Sequence, residues 1–108
     1  MDNQIKLFEL KEKVKIFVAQ RNWQEFHSPK NLAMSISIEA AELMEHFQWL
    51  GLEESKDYLQ DAKNHDEVAM ELADVLIYCM SFANTCNIDI SEAISKKMAI
   101  NETRFKKA

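Results

Sequence analysis

A chain of 108 residues with a single glycine, Gly51, and a single proline, Pro29, has few places where its backbone can turn sharply. Glycine opens conformations closed to other residues and proline breaks helices, so their scarcity favours long helices joined by short connections. Apolar positions recur at helical spacing in four segments. The first runs from about Asn3 to Gln20, with Ile5, Phe8, Val14, Phe17 and Val18 forming an interrupted apolar stripe. Ser28 before Pro29 is a start signal, a capping hydroxyl followed by a proline whose missing N–H costs nothing at the first helical position. It opens a second helix expected to reach about Leu50 and to stop at Gly51. A polar stretch, "LEESKDYLQDAKNHD", has room for a short helical turn and reverses the chain before a third helix from about Asp66 to Cys86. Asp89 with Glu92 three residues on reads as a capping box that starts a fourth helix through about Phe105. The expected architecture is all-α: one domain over residues 1–108, an antiparallel four-helix bundle small enough to need partners of its own kind in a homo-oligomer.

Composition narrows the classes of function. Apolar residues make up 47% and charged residues 29%, as in globular proteins, and no run of the roughly 18 apolar residues that a membrane span requires is apparent. The charged start "MDNQIKLFELKEK" does not read as a signal peptide, so a cytoplasmic protein without a membrane partner is expected. A net charge of −5 leaves no concentrated basic surface for a nucleic-acid polymer. Cys79 and Cys86 stand seven apart in one predicted helix, about 10 Å along its axis, too far for a disulfide.

The third constraint is a misplacement of charge. In "ISIEAAELMEHFQW", residues 36–49, Glu39 falls within about 60° of Leu32, Ile36 and Leu43 on a helical wheel, and Glu42 lies on the adjoining strip. Helix three repeats the pattern in "ELAD", where Glu71 shares a side with Val68, Val75, Tyr78 and Phe82 and precedes Asp74 by three. If the two helices are antiparallel neighbours, four carboxylates converge in a partly desolvated cleft, and a cation resolves their repulsion. An all-oxygen donor set suits Mg²⁺ or Mn²⁺ better than zinc. His46 follows Glu42 by four, which is the wrong spacing for the Glu-x-x-His pair of a di-iron bundle. Glu45 lies further from the apolar stripe, where a supporting or surface role is as compatible as ligation, so it is left out of the metal set. The plain alternative is that these acids are solvated or pair with lysines on a neighbouring helix.

Aromatic and basic side chains accompany the acids. Tyr78 lies one turn beyond Asp74, Trp49 ends the second helix, and Trp23, Phe26 and His27 cluster in the loop before it. Aromatic faces beside a metal site suit a nucleobase, although each residue taken singly is as compatible with plain packing. Lys97, Asn101 and Arg104 form a polar and basic side of the fourth helix that suits phosphate oxygens, or simply a helix C-terminus. No glycine-rich phosphate loop, nucleophile elbow or cysteine zinc pattern is present.

These blocks, "RNWQEFHSPKNL", "EAAELMEHFQW", "ELADVLIYCMSFA" and "KKMAINETRF", occur in the order found in the MazG-like all-α nucleoside triphosphate pyrophosphohydrolases, and the chain resembles their dCTP pyrophosphatase branch from about residue 14 to 105. The family's E-x-x-E, spacer, E-x-x-D pattern is met by Glu39, Glu42, Glu71 and Asp74, with 28 residues between the pairs. The resemblance implies that those four acids hold Mg²⁺ and carry catalysis, that Trp23, Phe26, His27, Trp49 and Tyr78 line a base and sugar pocket, and that Lys97 and Asn101 face phosphate. It further implies a homodimer or homotetramer that hydrolyses a nucleoside triphosphate between its α and β phosphates and clears nucleotides from the pool, with dCTP as the branch's substrate. Val14 stands nine residues before Trp23, where the dCTP branch has a histidine. Two rival classes share much of the pattern: a nucleotide-binding module without catalysis, and a helical interaction protein that binds no metal.

Overall fold

The computed structural model describes residues 1–108 and contains helices and turns without strands. The elements in chain order are α1 (Leu7–Gln20), a 3₁₀ turn (Gln24–Phe26), α2 (Pro29–Glu45), α3 (Leu52–Tyr58), α4 (Ala62–Cys86) and α5 (Ile90–Arg104). The all-α expectation holds, and the polar stretch before α4 contains a seven-residue helix of its own, α3.

Caps explain where the helices begin and end. Ser28 Oγ accepts from the Asn31 N–H at 3.1 Å with Pro29 in the first turn, as its sequence suggests. Asp61 accepts from the N–H groups of Lys63 and Asn64 at 2.9 and 3.3 Å, so α4 starts at Ala62, four residues before the expected Asp66. Asp89 accepts from the Glu92 N–H at 2.9 Å, but the Glu92 carboxylate pairs with Lys96 at 3.0 Å, so only half of the expected capping box forms. Helix α2 ends at Glu45, and residues 46–50 form turns. Gly51 is extended (φ −73°, ψ 172°) and opens α3, its N–H donating to Glu54 Oε1 at 3.3 Å, so it does not supply the left-handed stop expected of it. That conformation falls to Asn22 after α1 and Asn87 after α4, with φ of 54° and 55°.

The principal packing is α2 against α4, with α1 against α4 second. His27, just before α2, bonds Ser81 in the C-terminal half of α4, while Glu39 and Glu42 further along α2 meet Glu71 nearer the α4 N-terminus. The two helices therefore run antiparallel. Helix α1 is tied on by Asn84 Nδ2 donating to the Lys11 carbonyl and Lys11 Nζ donating to the Ile88 carbonyl, both at 2.9 Å. By length and composition α4 passes for a membrane-crossing helix, which corrects the sequence reading, although it lies between α1 and α2 and carries Glu71 and Asp74. Cys79 and Cys86 are both free thiols.

Little of this chain is buried within itself. Val18, Leu32, Ser81 and Ala83 alone are shielded from solvent, and Leu32 is the one large side chain fully enclosed, at 1% exposure. Helix α5 has no fully buried residue and exposes Ile94, Met98 and Ile100, so it packs more lightly within the chain than α2 against α4. Replacing Leu32 with alanine is expected to cost about 2–5 kcal/mol, read as a lower urea midpoint at unchanged slope.

Candidate active site

The α2–α4 seam brings together the residues that their wheel positions single out. Glu39 and Glu42 stand on successive turns of α2, Glu71 faces them from α4, and one carboxylate oxygen from each lies within 4.8 Å of the others. Glu39 and Glu71 are half-buried and Glu42 is exposed. Oε2 of Glu39 and Oε2 of Glu71 are shielded from solvent and have no hydrogen-bond partner. Asp74 is exposed and stands outside this close triangle, yet near enough for its charge to act on both Glu39 and Glu71.

Both inner carboxyls titrate above the ordinary 4.5. Desolvation is the main cause for each, followed for Glu39 by a hydrogen bond with Glu42 and the charges of Glu42, Asp74 and Glu71. For Glu71 the charge of Glu42 and a hydrogen bond with it come next, and only His46 acts in the opposite direction. No lysine or arginine relieves the cluster: the chain's ion pairs, Lys56–Glu53, Lys63–Glu67 and Lys96–Glu92, all lie elsewhere. The lysine-paired alternative therefore fails for these acids. Two orphaned, shielded oxygens inside an all-carboxylate group are the environment a hard divalent cation satisfies, so the donors fit Mg²⁺ or Mn²⁺.

An open cavity of about 440 Å³ adjoins the cluster, lined by Glu42, Glu45, His46, Tyr58 and Glu71. Glu45 is thus on the cavity wall and outside the close group. Tyr58 escapes the sequence reading because the bond that brings it here, His46 Nδ1 to Tyr58 Oη at 2.8 Å, crosses from the end of α2 to the end of α3. A histidine one turn past Glu42 and a tyrosine ending a polar segment are the only signals for it.

On the other side of the acids lies an aromatic group. The rings of Trp23 and His27 are 6.4 Å apart, as are those of His27 and Tyr78, and Phe17 abuts Trp23 edge-on at 5.7 Å. His27 Nδ1 is held 2.9 Å from the Ser81 hydroxyl, another partner that the sequence does not advertise, because a lone serine in an apolar helix reads as filler. Three of the five expected base-pocket residues therefore associate. Phe26 is exposed, and Trp49, at 87% exposure, stands free in the turn after α2. Lys97 is exposed and Asn101 half-buried on α5, away from the seam, while Arg104 lies over the Phe105 ring at 5.1 Å.

Comparison with known proteins identifies the family and the fold. A family profile described as MazG-like matches residues 34–107. The chain belongs to the MazG-like family. This MazG-like chain is 37% identical to dCTP pyrophosphatase 1 of Mus musculus over 89 residues, 82% of its own length and 52% of the relative's, and equally to that of Homo sapiens. It is 40% identical over 53 residues, 49% of each chain, to a dATP/dGTP diphosphohydrolase of Cyanophage S-2L. It thus spans about half the length of the curated relatives it matches. A pyrophosphatase from Archaeoglobus fulgidus has a crystal structure that superposes with a TM-score of 0.87 at 41% identity, covering 94% of this chain and 93% of that one. The resemblance carried by the four sequence blocks is borne out, and the fold is that of a MazG-like pyrophosphatase.

Raised carboxyl values carry a sign for stability. Because Glu39 and Glu71 titrate higher in the fold than the ordinary 4.5, the stability they permit is complete below that value and is lost as pH rises through their raised values. In EDTA, Glu71→Gln is expected to melt at a higher temperature than the native chain near pH 7.5. The difference should close near pH 4, as followed by thermal scanning across that range.

Proposed function

We propose that this chain is a Mg²⁺-dependent nucleoside triphosphate pyrophosphohydrolase that cleaves between the α and β phosphates, releasing monophosphate and pyrophosphate. The observation that carries the reading is the pair of shielded, unpartnered oxygens on Glu39 of α2 and Glu71 of α4, whose carboxylates lie with that of Glu42 in one close group. The relatives' names support the reaction, and those of the mammalian proteins make dCTP the first substrate to test.

Glu39, Glu42, Glu71 and Asp74 hold the ion, Mg²⁺ or Mn²⁺. Such an ion, when bound, neutralises charge developing on the phosphate oxygens. The Glu39–Glu42 pair takes the proton of the water whose oxygen bonds to the α phosphorus, as the bond from that phosphorus to the bridging oxygen breaks and pyrophosphate leaves with the electron pair. Trp23, His27 and Tyr78 receive the base by stacking. Phe26, Trp49, Lys97 and Asn101 complete the pocket from a second copy of the chain in a homodimer or homotetramer. That arrangement is supported by the exposure of Trp49 and by the uncovered apolar residues of α5, which one chain leaves in water. The role is clearance of deoxynucleotides from the cytoplasmic pool.

The test is a panel of deoxynucleoside and ribonucleoside triphosphates incubated with Mg²⁺, with pyrophosphate and orthophosphate separated among the products. Pyrophosphate and monophosphate in equal amounts are expected, together with a fall in kcat on the order of 100-fold or more for Glu71→Gln, as for loss of one charge-stabilising group. Orthophosphate as the first product from every substrate would reject the reading.

A further inference from the structure

The cavity beyond the acids contains a pair of side chains to which the reaction above gives no task. Of its lining residues, Glu42, Glu45 and Glu71 are carboxylates, and only His46 and Tyr58 can donate a hydrogen bond to another anion. The pair is held from several directions. His46 Nδ1 and Tyr58 Oη are 2.8 Å apart, and the Tyr58 ring meets Phe47 edge-on at 5.6 Å. The Tyr58 carbonyl accepts from Asn64 Nδ2 at 3.1 Å, which fixes the end of α3 to the first turn of α4. With Nδ1 occupied by Tyr58, the remaining ring nitrogen, Nε2, has no partner in the chain.

Position along the seam assigns a use. Because α2 and α4 are antiparallel, the aromatic group lies towards the start of α2 and the C-terminal half of α4, and His46 lies at the opposite end, at the close of α2. The acids stand between. Tyr78 is about 10 Å along α4 from Glu71, and His46 is about 6 Å along α2 beyond Glu42, from the rise of a helix. A nucleotide with its base on the aromatic side and its α phosphate at the acids therefore extends its outer phosphates towards His46.

We propose that His46 binds an outer phosphate of the nucleotide through Nε2–H, and that Tyr58 is a positioning residue whose hydroxyl donates to Nδ1 and so keeps the proton on Nε2. This rests on the reading of the acids as the site of the α phosphate. It makes His46 the group by which the protein distinguishes a triphosphate from the monophosphate it releases; the monophosphate leaves without breaking that bond, and pyrophosphate must break it to depart.

Calorimetry in Mg²⁺ tests this with two ligands, a deoxynucleoside triphosphate carrying an α,β-imido bridge and the corresponding monophosphate. His46→Ala is expected to weaken the imido triphosphate by about tenfold or more, the size of a hydrogen bond to a charged group, and the monophosphate by less than about twofold. His46→Gln, whose amide can donate from a similar place, should recover most of the loss. Tyr58→Phe keeps the ring packed and should weaken the triphosphate alone, so it decides the matter if His46→Ala does not fold. Unchanged triphosphate affinity in the folded variants, or equal loss for both ligands, overturns the proposal. Failure of α–β cleavage shows separately, as orthophosphate released by the native chain, and a native chain that binds neither ligand overturns both.

Discussion

Repulsion among the carboxylates of Glu39, Glu42 and Glu71 is the constraint around which this fold is arranged. Three acids within 4.8 Å, two of them with shielded oxygens that bond to nothing, are an unfavourable feature for a chain with so little buried surface to offset it. No lysine or arginine in the protein pairs with it, and only His46 acts against it, at Glu71. The seam between α2 and α4 is thus less stable than an apolar seam would be and better prepared to hold a cation, which is the exchange of stability for function expected at a metal site.

The antiparallel pairing of α2 and α4 orders what surrounds those acids. One end of the seam gathers rings, Trp23, His27 and Tyr78, with Ser81 fixing the imidazole. The other end closes with His46 and Tyr58, anchored through α3 and Asn64. On the proposed reading, a nucleotide, itself a linear sequence of aromatic base, sugar and phosphates, would meet these groups in that order along the seam. Both ends rest on hydrogen bonds between side chains remote in sequence, His27 with Ser81 and His46 with Tyr58, each within 3 Å.

Much of this was legible before any coordinates. Helical periodicity placed Glu39 and Glu71 beside apolar stripes, and that is where they lie, because a period of 3.6 residues determines which side chains share a face. The start of α2 was legible because Ser28 and Pro29 act locally. Gly51 misled: a glycine after a helix suggests a left-handed stop, but the chain had already left α2 at Glu45, and the left-handed positions fell to asparagines. Asp61 was hidden among other polar residues, so the first turn of α4 was missed. Tyr58 and Ser81 could not be found from spacing, since their partners lie 12 and 54 residues away in sequence. Nor does periodicity show that α5 leaves its apolar residues uncovered within its own chain; an apolar stripe looks the same whether its neighbour is the same molecule or another.

The central claim is that the acids of α2 and α4 form one cation site, and a magnesium titration followed by thermal melting tests it most directly. A ligand bound only by the native state raises the melting temperature with its concentration. The native chain should gain stability steadily as Mg²⁺ is added at constant ionic strength, and a chain carrying both Glu39→Gln and Glu71→Gln should melt higher without the ion and gain nothing from it. Equal response of the two chains to Mg²⁺, or no response from the native one, would contradict the account.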